Sequence, residues 1–329
     1  MGSGKNNSSA DKAAFVFLKG LALFLVAVPR NVAFGAGSAL GWVLWVFLRI
    51  ERKRLKITMN NLKILYPDAT DKELRNIVRR VCRHFGRFHS ESMRGPILKR
   101  SDFEGRVKFE GLDNFISACK EGKGVILATA HFGHFELGAC ALALMGYPVF
   151  SVIREVDNVY VDELLDNVRR STGLGIIKKE SASKEIIKHL REGHVVTIHT
   201  DLHAAFNKIF IKFFGKWAAT FITPAVLNLR TKAPVLPMFC FRNDADDSYT
   251  IRFYPQVKIK PTGDISADVR QITTYIAGVL ENVIREAPEQ WFWLHRRWKE
   301  EPDDKELEAI KKQEALIDSG ADKAGVTSA

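Results

Sequence analysis

The stretch that decides the fold is "ILATAHFGHFELGA", residues 126–139. Val125 to Ala130 is an unbroken apolar run that stops at His131, with His134 and Glu136 close behind. A short run of this kind predicts a buried strand, and "FELGACALALMG" (135–146) reads as a helix closed by Gly146. His131 therefore stands at the carboxyl end of a strand, where open α/β sheets bind ligands. On one continuous helix the i,i+5 spacing would set His131 and Glu136 about 140° apart. They meet only if His131 precedes the helix and Glu136 reaches back from its first turn, with Gly133 easing the bend. A carboxylate on one imidazole nitrogen leaves the other to accept a proton and steadies the imidazolium that results. Such a pair activates a hydroxyl. No serine or cysteine nucleophile lies beside it, which favours direct transfer over a covalent enzyme intermediate. Two other readings compete. His131 with His134, or His199, Asp201 and His203 of "TIHTDLHAAF", could hold a metal, although neither stretch matches a defined ligand pattern. The histidines could also be satisfied by backbone in an ordinary strand-to-helix junction.

Outward from this stretch, strands and helices alternate. The apolar runs predict strands at Val125–Ala130, Pro148–Ile153, His194–Thr200, Ile209–Phe214, Pro234–Phe241 and Thr250–Val257. Helices are predicted over 111–121, 135–145, 159–171, 182–191, 219–231 and 266–286. Upstream, Thr70 or Asp71 caps a helix to about residue 94, with Leu74, Ile77, Val78, Val81, Phe85 and Phe88 at helical spacing. The fold class is α/β: a mixed central sheet covered by helices on both faces. No repeat of fixed period and no linker interrupt it.

The N-terminus differs in kind. Residues 1–13 are polar and expected to be disordered. "AFVFLKGLALFLVAVP" (14–29) and "NVAFGAGSALGWVLWVFL" (31–48) are apolar, the second without a charge and just long enough to cross a bilayer. "RIERKRLK" (49–56) follows with Arg49, Arg52, Lys53, Arg54 and Lys56, the cluster that marks the cytoplasmic side of a membrane helix and attracts anionic headgroups. Trp42 and Trp45 suit an interfacial belt, and Gly37 and Gly41 form a lone GxxxG. The division that results is a membrane anchor over 14–48, spanning once or lying as a hairpin in one leaflet. One domain covers 49–302, and a polar tail covers 303–329, its last dozen residues frayed. Cys82, Cys119, Cys140 and Cys240 are scattered without a CxxC pair, which fits a reducing compartment. The net charge of +11 calls for a phosphate-bearing or acidic partner. A nucleic acid is excluded as that partner, because an apolar anchor and no nucleic-acid-binding motif accompany the charge.

Several blocks occur in order: the HxxxxE from His131 to Glu136, "REVDNVYVDELLDNVRRSTG", "LREGHVVTIHTDLHAAFNKIFIKFFGKWAATFITPAVLNLRTKAPVLPMFCFR" and "EAPEQWFWLHRRWK". Over roughly residues 50–302 this series resembles the bacterial lipid A secondary acyltransferases of the lysophospholipid acyltransferase superfamily. "FFGKWAAT" and "PEQWFWLHRRWK" are its most specific parts. The resemblance implies a glycerolipid-acyltransferase-like fold on the bacterial inner membrane, with the site facing the cytoplasm. It implies acyl transfer from acyl carrier protein, or a coenzyme A ester, to a hydroxyl of a phosphorylated glycolipid, the lipid A precursor. His131 would be the general base and Glu136 its orienting partner. Arg154, Arg169 or Arg170, and Asp201 would bind substrate, and neither metal nor cofactor is implied. The chain departs from the family pattern at "DLHAAFNK", after Asp201, and at His134-Phe135, where Asn-Trp is common. "HRRWK" (295–299) and "RIERKRLK" are expected as basic surfaces for membrane and carrier, and "FIKFFGKW" (210–217) as an acyl-chain entrance. Alternatives are an acyltransferase of the same kind acting on a phosphatidylinositol mannoside, lysophospholipid or other glycolipid, and an inactive membrane adaptor.

Overall fold

A computed structural model of the chain describes residues 8–103, 105–179 and 182–325. Pro29 divides the apolar N-terminal runs into two helices, α1 (Ser9–Ala27) and α2 (Arg30–Ile50). Of the segment expected to be disordered, residues 1–7 lie outside the described residues. Ser8 caps α1 in a capping box with Asp11. The chain then forms α3 (Arg52–Leu65) and α4 (Asp71–Ser92), the latter opened by a Thr70/Glu73 capping box.

α2 lies along α4. Gly37 and Gly41 do form a helix-pairing face, and their partner is within the same chain. A Cβ on Gly86 would lie 2.2 Å from the Gly37 carbonyl oxygen and 2.5 Å from the Gly41 nitrogen, so the two backbones are in direct contact. Arg30 on Glu91 (3.1 Å) and Arg87 on the Ser38 hydroxyl (2.8 Å) fix the register.

The remainder runs β1 (Val107–Glu110), α5 (Leu112–Lys120), β2 (Val125–Thr129), α6 (Phe135–Leu144), β3 (Val149–Ile153), α7 (Val159–Arg170), β4 (Gly175–Lys178), α8 (Ala182–Arg191), β5 (Val195–His199), β6 (Lys208–Phe213), β7 (Lys216–Phe221), α9 (Thr223–Thr231), β8 (Val235–Asn243), β9 (Ser248–Phe253), α10 (Ile265–Glu286) and α11 (Asp304–Gly325). Seven strands make one sheet in the order β1-β9-β8-β2-β5-β3-β4. All neighbours are parallel except β8 and β9, so the sheet is mixed. Leu127, Leu142 and Phe253 lie in the core on one face, and Ile126, Val196 and Ile272 in the core on the other. β2, at the centre, is buried along its whole length, as its composition requires.

Three predicted features change. β7 occupies 216–221, where the helix of 219–231 was expected to begin. It pairs with β6 through a two-residue turn at Phe214 and Gly215, both at positive φ. "FIKFFGKW" is core rather than an entrance, since Phe210, Phe213 and Phe214 are buried and Phe213 packs on Trp291 and Trp298. The polar tail is helical over 304–325 and anchors by Ile310 against Phe210 and Ala219.

Candidate active site

β2 delivers the chain to Ala130, where the ladder ends and a tight turn begins. Gly133 takes φ +58°, and a Cβ there would lie 1.8 Å from the Cys240 carbonyl oxygen, so only glycine passes so close to β8. The turn is held from both sides. The Gly133 amide donates to the Gln290 carbonyl and the His134 amide to that of Cys240, both at 2.9 Å. Phe292 donates its amide to the His131 carbonyl at 3.1 Å. His134 is the N-cap of α6: its Nδ1 accepts the Leu137 amide at 3.1 Å. Burial holds its pKa down at about 3, so it is a neutral capping residue rather than a ligand.

His131 precedes α6, as the spacing predicts, and Glu136 lies in the first helical turn. The expected contact between them is replaced by two others. His131 Nδ1 faces Asp201 Oδ1 at 2.9 Å, and the His131 amide donates to Asp201 Oδ2 at 3.0 Å. Trp291 Nε1 donates to the same Oδ2 at 2.9 Å. Asp201 follows β5, which pairs with β2 in parallel, so the two side chains meet because their strands end side by side. Glu136 accepts two hydrogen bonds from Arg169, at 3.1 Å from Nε and 2.7 Å from the terminal nitrogen, on one oxygen. Arg169 continues to Asp166 at 3.7 Å, and Asp166 to Lys178 at 2.7 Å.

Electrostatics follow from this arrangement. Burial alone would lower the His131 pKa, but the Asp201 charge and hydrogen bond, with the Glu136 charge behind them, raise it above the usual imidazole value. Asp201 is fully buried. Burial would raise its pKa, and His131 with Trp291 overcomes that and holds the carboxyl far below its ordinary range. The His199 ring lies 4.6 Å from that of His131, and burial holds its pKa at about 3, so it remains neutral. Phe135 packs against both rings. The thiol of Cys140, in α6, is pushed up to about 12 by burial and is no nucleophile at neutral pH.

The structure thus gathers His131, Asp201, Glu136 and Arg169. Arg154, just past β3, and Arg170, at the end of α7, are exposed and make no ion pair among the described residues. Asp201, expected to bind substrate, is instead sealed behind the imidazole. The "PEQWFWLHRRWK" block is a scaffold: Gln290 and Trp291 hold the site, and Arg297 is buried. It donates to the carbonyls of Leu202 and Ala219 and to the Thr220 hydroxyl. Of the basic stretch 295–299, Arg296 and Lys299 are exposed and Arg297 is turned inward. Trp291 is not singled out by the sequence reading, and the density of tryptophans after Gln290 is the available signal; His199 stands there as a candidate metal ligand and is here a neutral ring beside His131.

The site is thus an imidazole fixed by a buried carboxylate at the ends of adjacent parallel strands of a mixed α/β sheet. A family model described as bacterial lipid A biosynthesis acyltransferase matches residues 4–300, and the chain belongs to that family. It is an acyltransferase of groups other than aminoacyl groups. It is 26% identical over 286 residues to a lipid A biosynthesis lauroyltransferase of Escherichia coli, covering 86% of this chain and 90% of that one. A lipid A biosynthesis acyltransferase of Haemophilus influenzae is 23% identical over 273 residues, 83% of each chain. A phosphatidylinositol mannoside acyltransferase of Mycolicibacterium smegmatis is 20% identical over 227 residues, 68% of this chain and 72% of that one.

Proposed function

We propose that the protein transfers a fatty acyl chain from an acyl thioester, carried by acyl carrier protein in preference to coenzyme A, to a hydroxyl of a lipid A precursor. The observation that carries this reading is His131, whose Nδ1 is engaged by Asp201 so that Nε2 is left for the acceptor hydroxyl. The hydroxyl oxygen attacks the thioester carbonyl while Nε2 takes its proton. The tetrahedral intermediate then collapses, the C–S bond breaks, and the imidazolium returns the proton to the leaving thiolate. The amides of Phe132, Gly133 and His134 are occupied by Ala130, Gln290 and Cys240, so the turn itself offers the oxyanion no donor. Arg169, oriented by Glu136, is the cation placed for it. Exposed Arg154 and Arg170 are suited to phosphates of the acceptor, which arginine binds bidentately.

The same reading places the protein on the cytoplasmic side of the bacterial inner membrane. α2 is long and apolar enough to cross a bilayer. However, it is fastened lengthwise to α4, whose outer face carries exposed Arg75, Arg79, Arg80 and Arg83. Crossing would draw those charges into hydrocarbon, so α1 and α2 lie in one leaflet with Phe17, Leu23, Trp42 and Val43 exposed to it.

His131→Ala should abolish acyl transfer in a purified assay while melting behaviour and membrane recovery stay unchanged; near-normal turnover would sink the assignment. Mass spectrometry of lipids from cells with and without the protein tests the acceptor. Loss of one acyl chain from lipid A supports the reading. An unchanged lipid A with an altered phospholipid or mannoside points to the acceptor of the more distant relatives.

A further inference from the structure

We infer that His189, Glu192 and His194 form a binding site for a zinc-like divalent cation, at the end of the sheet opposite His131. The three ligand atoms make a nearly equilateral triangle: His189 Nδ1 to His194 Nδ1 3.1 Å, and Glu192 Oε2 to those atoms 3.6 and 3.5 Å. Around four-coordinate zinc, with bonds of about 2.0–2.1 Å, neighbouring ligand atoms lie roughly 3.3–3.4 Å apart. The observed triangle has a circumradius of about 2.0 Å, so an ion at that bond length would sit roughly half an ångström above its plane. That leaves a fourth position open.

The backbone explains why these atoms meet. α8 ends in a Schellman motif: the His194 amide donates to the His189 carbonyl and the Gly193 amide to that of Leu190, with Gly193 at φ +80°. The motif brings its third-last helical residue against the second residue beyond the cap, positions often joined by an apolar contact. Here both are imidazoles, and the cap residue between them is Glu192. The rings are held edge to edge, centroids 5.3 Å apart, and stack on Phe150 at 3.6 Å for His189 and 5.2 Å for His194. Lys188 is 3.9 Å from Glu192 Oε1, which leaves Oε2 to face the histidines. A hydrogen bond between the two imidazoles would account for their approach, but not for a carboxylate oxygen almost equidistant from both. Two imidazoles and one carboxylate with an open position suit zinc first, then cobalt(II) or nickel(II).

The test uses the full-length protein in detergent, freed of metal by chelator dialysis. Zinc is titrated by calorimetry, and cobalt(II) with the visible spectrum recorded. One saturable equivalent at micromolar zinc or below is expected, with the d–d bands of four-coordinate cobalt. H189A/H194A should lose at least tenfold in affinity together with those bands, and E192Q should weaken binding by a smaller factor. H203A, which removes a separate imidazole–carboxylate pair (His203 and Glu300, 3.1 Å), should bind as the parent does. Metal-free melting curves show whether the variants fold. The inference is overturned by saturation only at millimolar zinc, or by equal affinity in the parent, H189A/H194A and E192Q.

Discussion

In the proposed mechanism, the pairing of His131 with Asp201 sets both the strength of the base and the pH at which it works. An imidazole acts as base only when neutral, so activity should rise with pH through the raised His131 value. Asp201→Asn removes the charge and presents Nδ1 with an amide. The acidic limb of the kcat profile should then move to lower pH, while kcat falls on the order of 10²- to 10⁴-fold. A pH–rate profile of the variant checks both, and an unmoved limb would show that Asp201 does not tune the base. Glu136→Gln should act differently, because Glu136 orients Arg169 and reaches His131 through its field alone. Its loss should lower kcat with a smaller shift of the limb. The spacing argument located His131 before the helix and Glu136 in its first turn. It could not find the partner of Nδ1, since Asp201 is 70 residues away and arrives through strand adjacency. Local spacing carries no information about which strands are neighbours. The sequence offers Asp201 only as a possible metal ligand and, by resemblance, as a substrate contact, and its burial behind the ring is a tertiary fact.

Among the elements, those with strong internal patterns were legible. β2, β3, β5 and β8 are apolar runs too short for helices, and α4 and α10 carry long helical stripes. β1 and β4, at the sheet edges, alternate weakly over four residues each. β7 falls where the helix of 219–231 is expected to begin: "WAATF" is apolar without a period, and only its pairing with β6 makes it a strand. Up to residue 319, α11 buries little beyond Ile310, so its sequence resembles a solvated tail. The docking of α2 on α4 rests on glycines whose role is visible only in contact. A Cβ on Gly86 meets backbone atoms of Gly37 and Gly41, which cannot turn aside as a side chain would. Gly86→Ala should therefore separate the helices and destabilise by about 1–3 kcal/mol, lowering Tm by a few degrees. Gly20 in α1 has open space around it, and Gly20→Ala should leave Tm unchanged or slightly higher. Equal melting temperatures for the two variants would refute the close-packed interface.

At the scale of the whole molecule, charge and apolar exposure lie on the same N-terminal helices. The +11 net charge includes Arg49, Arg52, Lys53, Arg54 and Lys56, all exposed where α2 passes into α3. On α1 and α2, Val16, Phe17, Leu23, Trp42, Val43 and Phe47 are each about half exposed or more, apolar side chains with no partner among the described residues. The two features make separate contributions that salt can distinguish. Basic side chains at an anionic surface contribute about 1 kcal/mol each, within a Debye length of roughly 8–10 Å. Apolar side chains contribute about 1.5–3 kcal/mol each on full burial, with little dependence on ionic strength. The full chain should therefore bind vesicles containing phosphatidylglycerol more tightly than neutral ones, and the difference should shrink as salt rises. Replacing Arg52, Lys53, Arg54 and Lys56 by glutamine should remove most of that difference, weakening anionic binding by about two to three orders of magnitude at low salt. Phe17→Ser with Trp42→Ser should weaken binding to both vesicle types alike and leave the salt dependence intact. Vesicle flotation across a salt series measures both variants. If the glutamine variant keeps the parent's preference for anionic vesicles, the basic collar is a solvated face and the membrane reading rests on the apolar band alone.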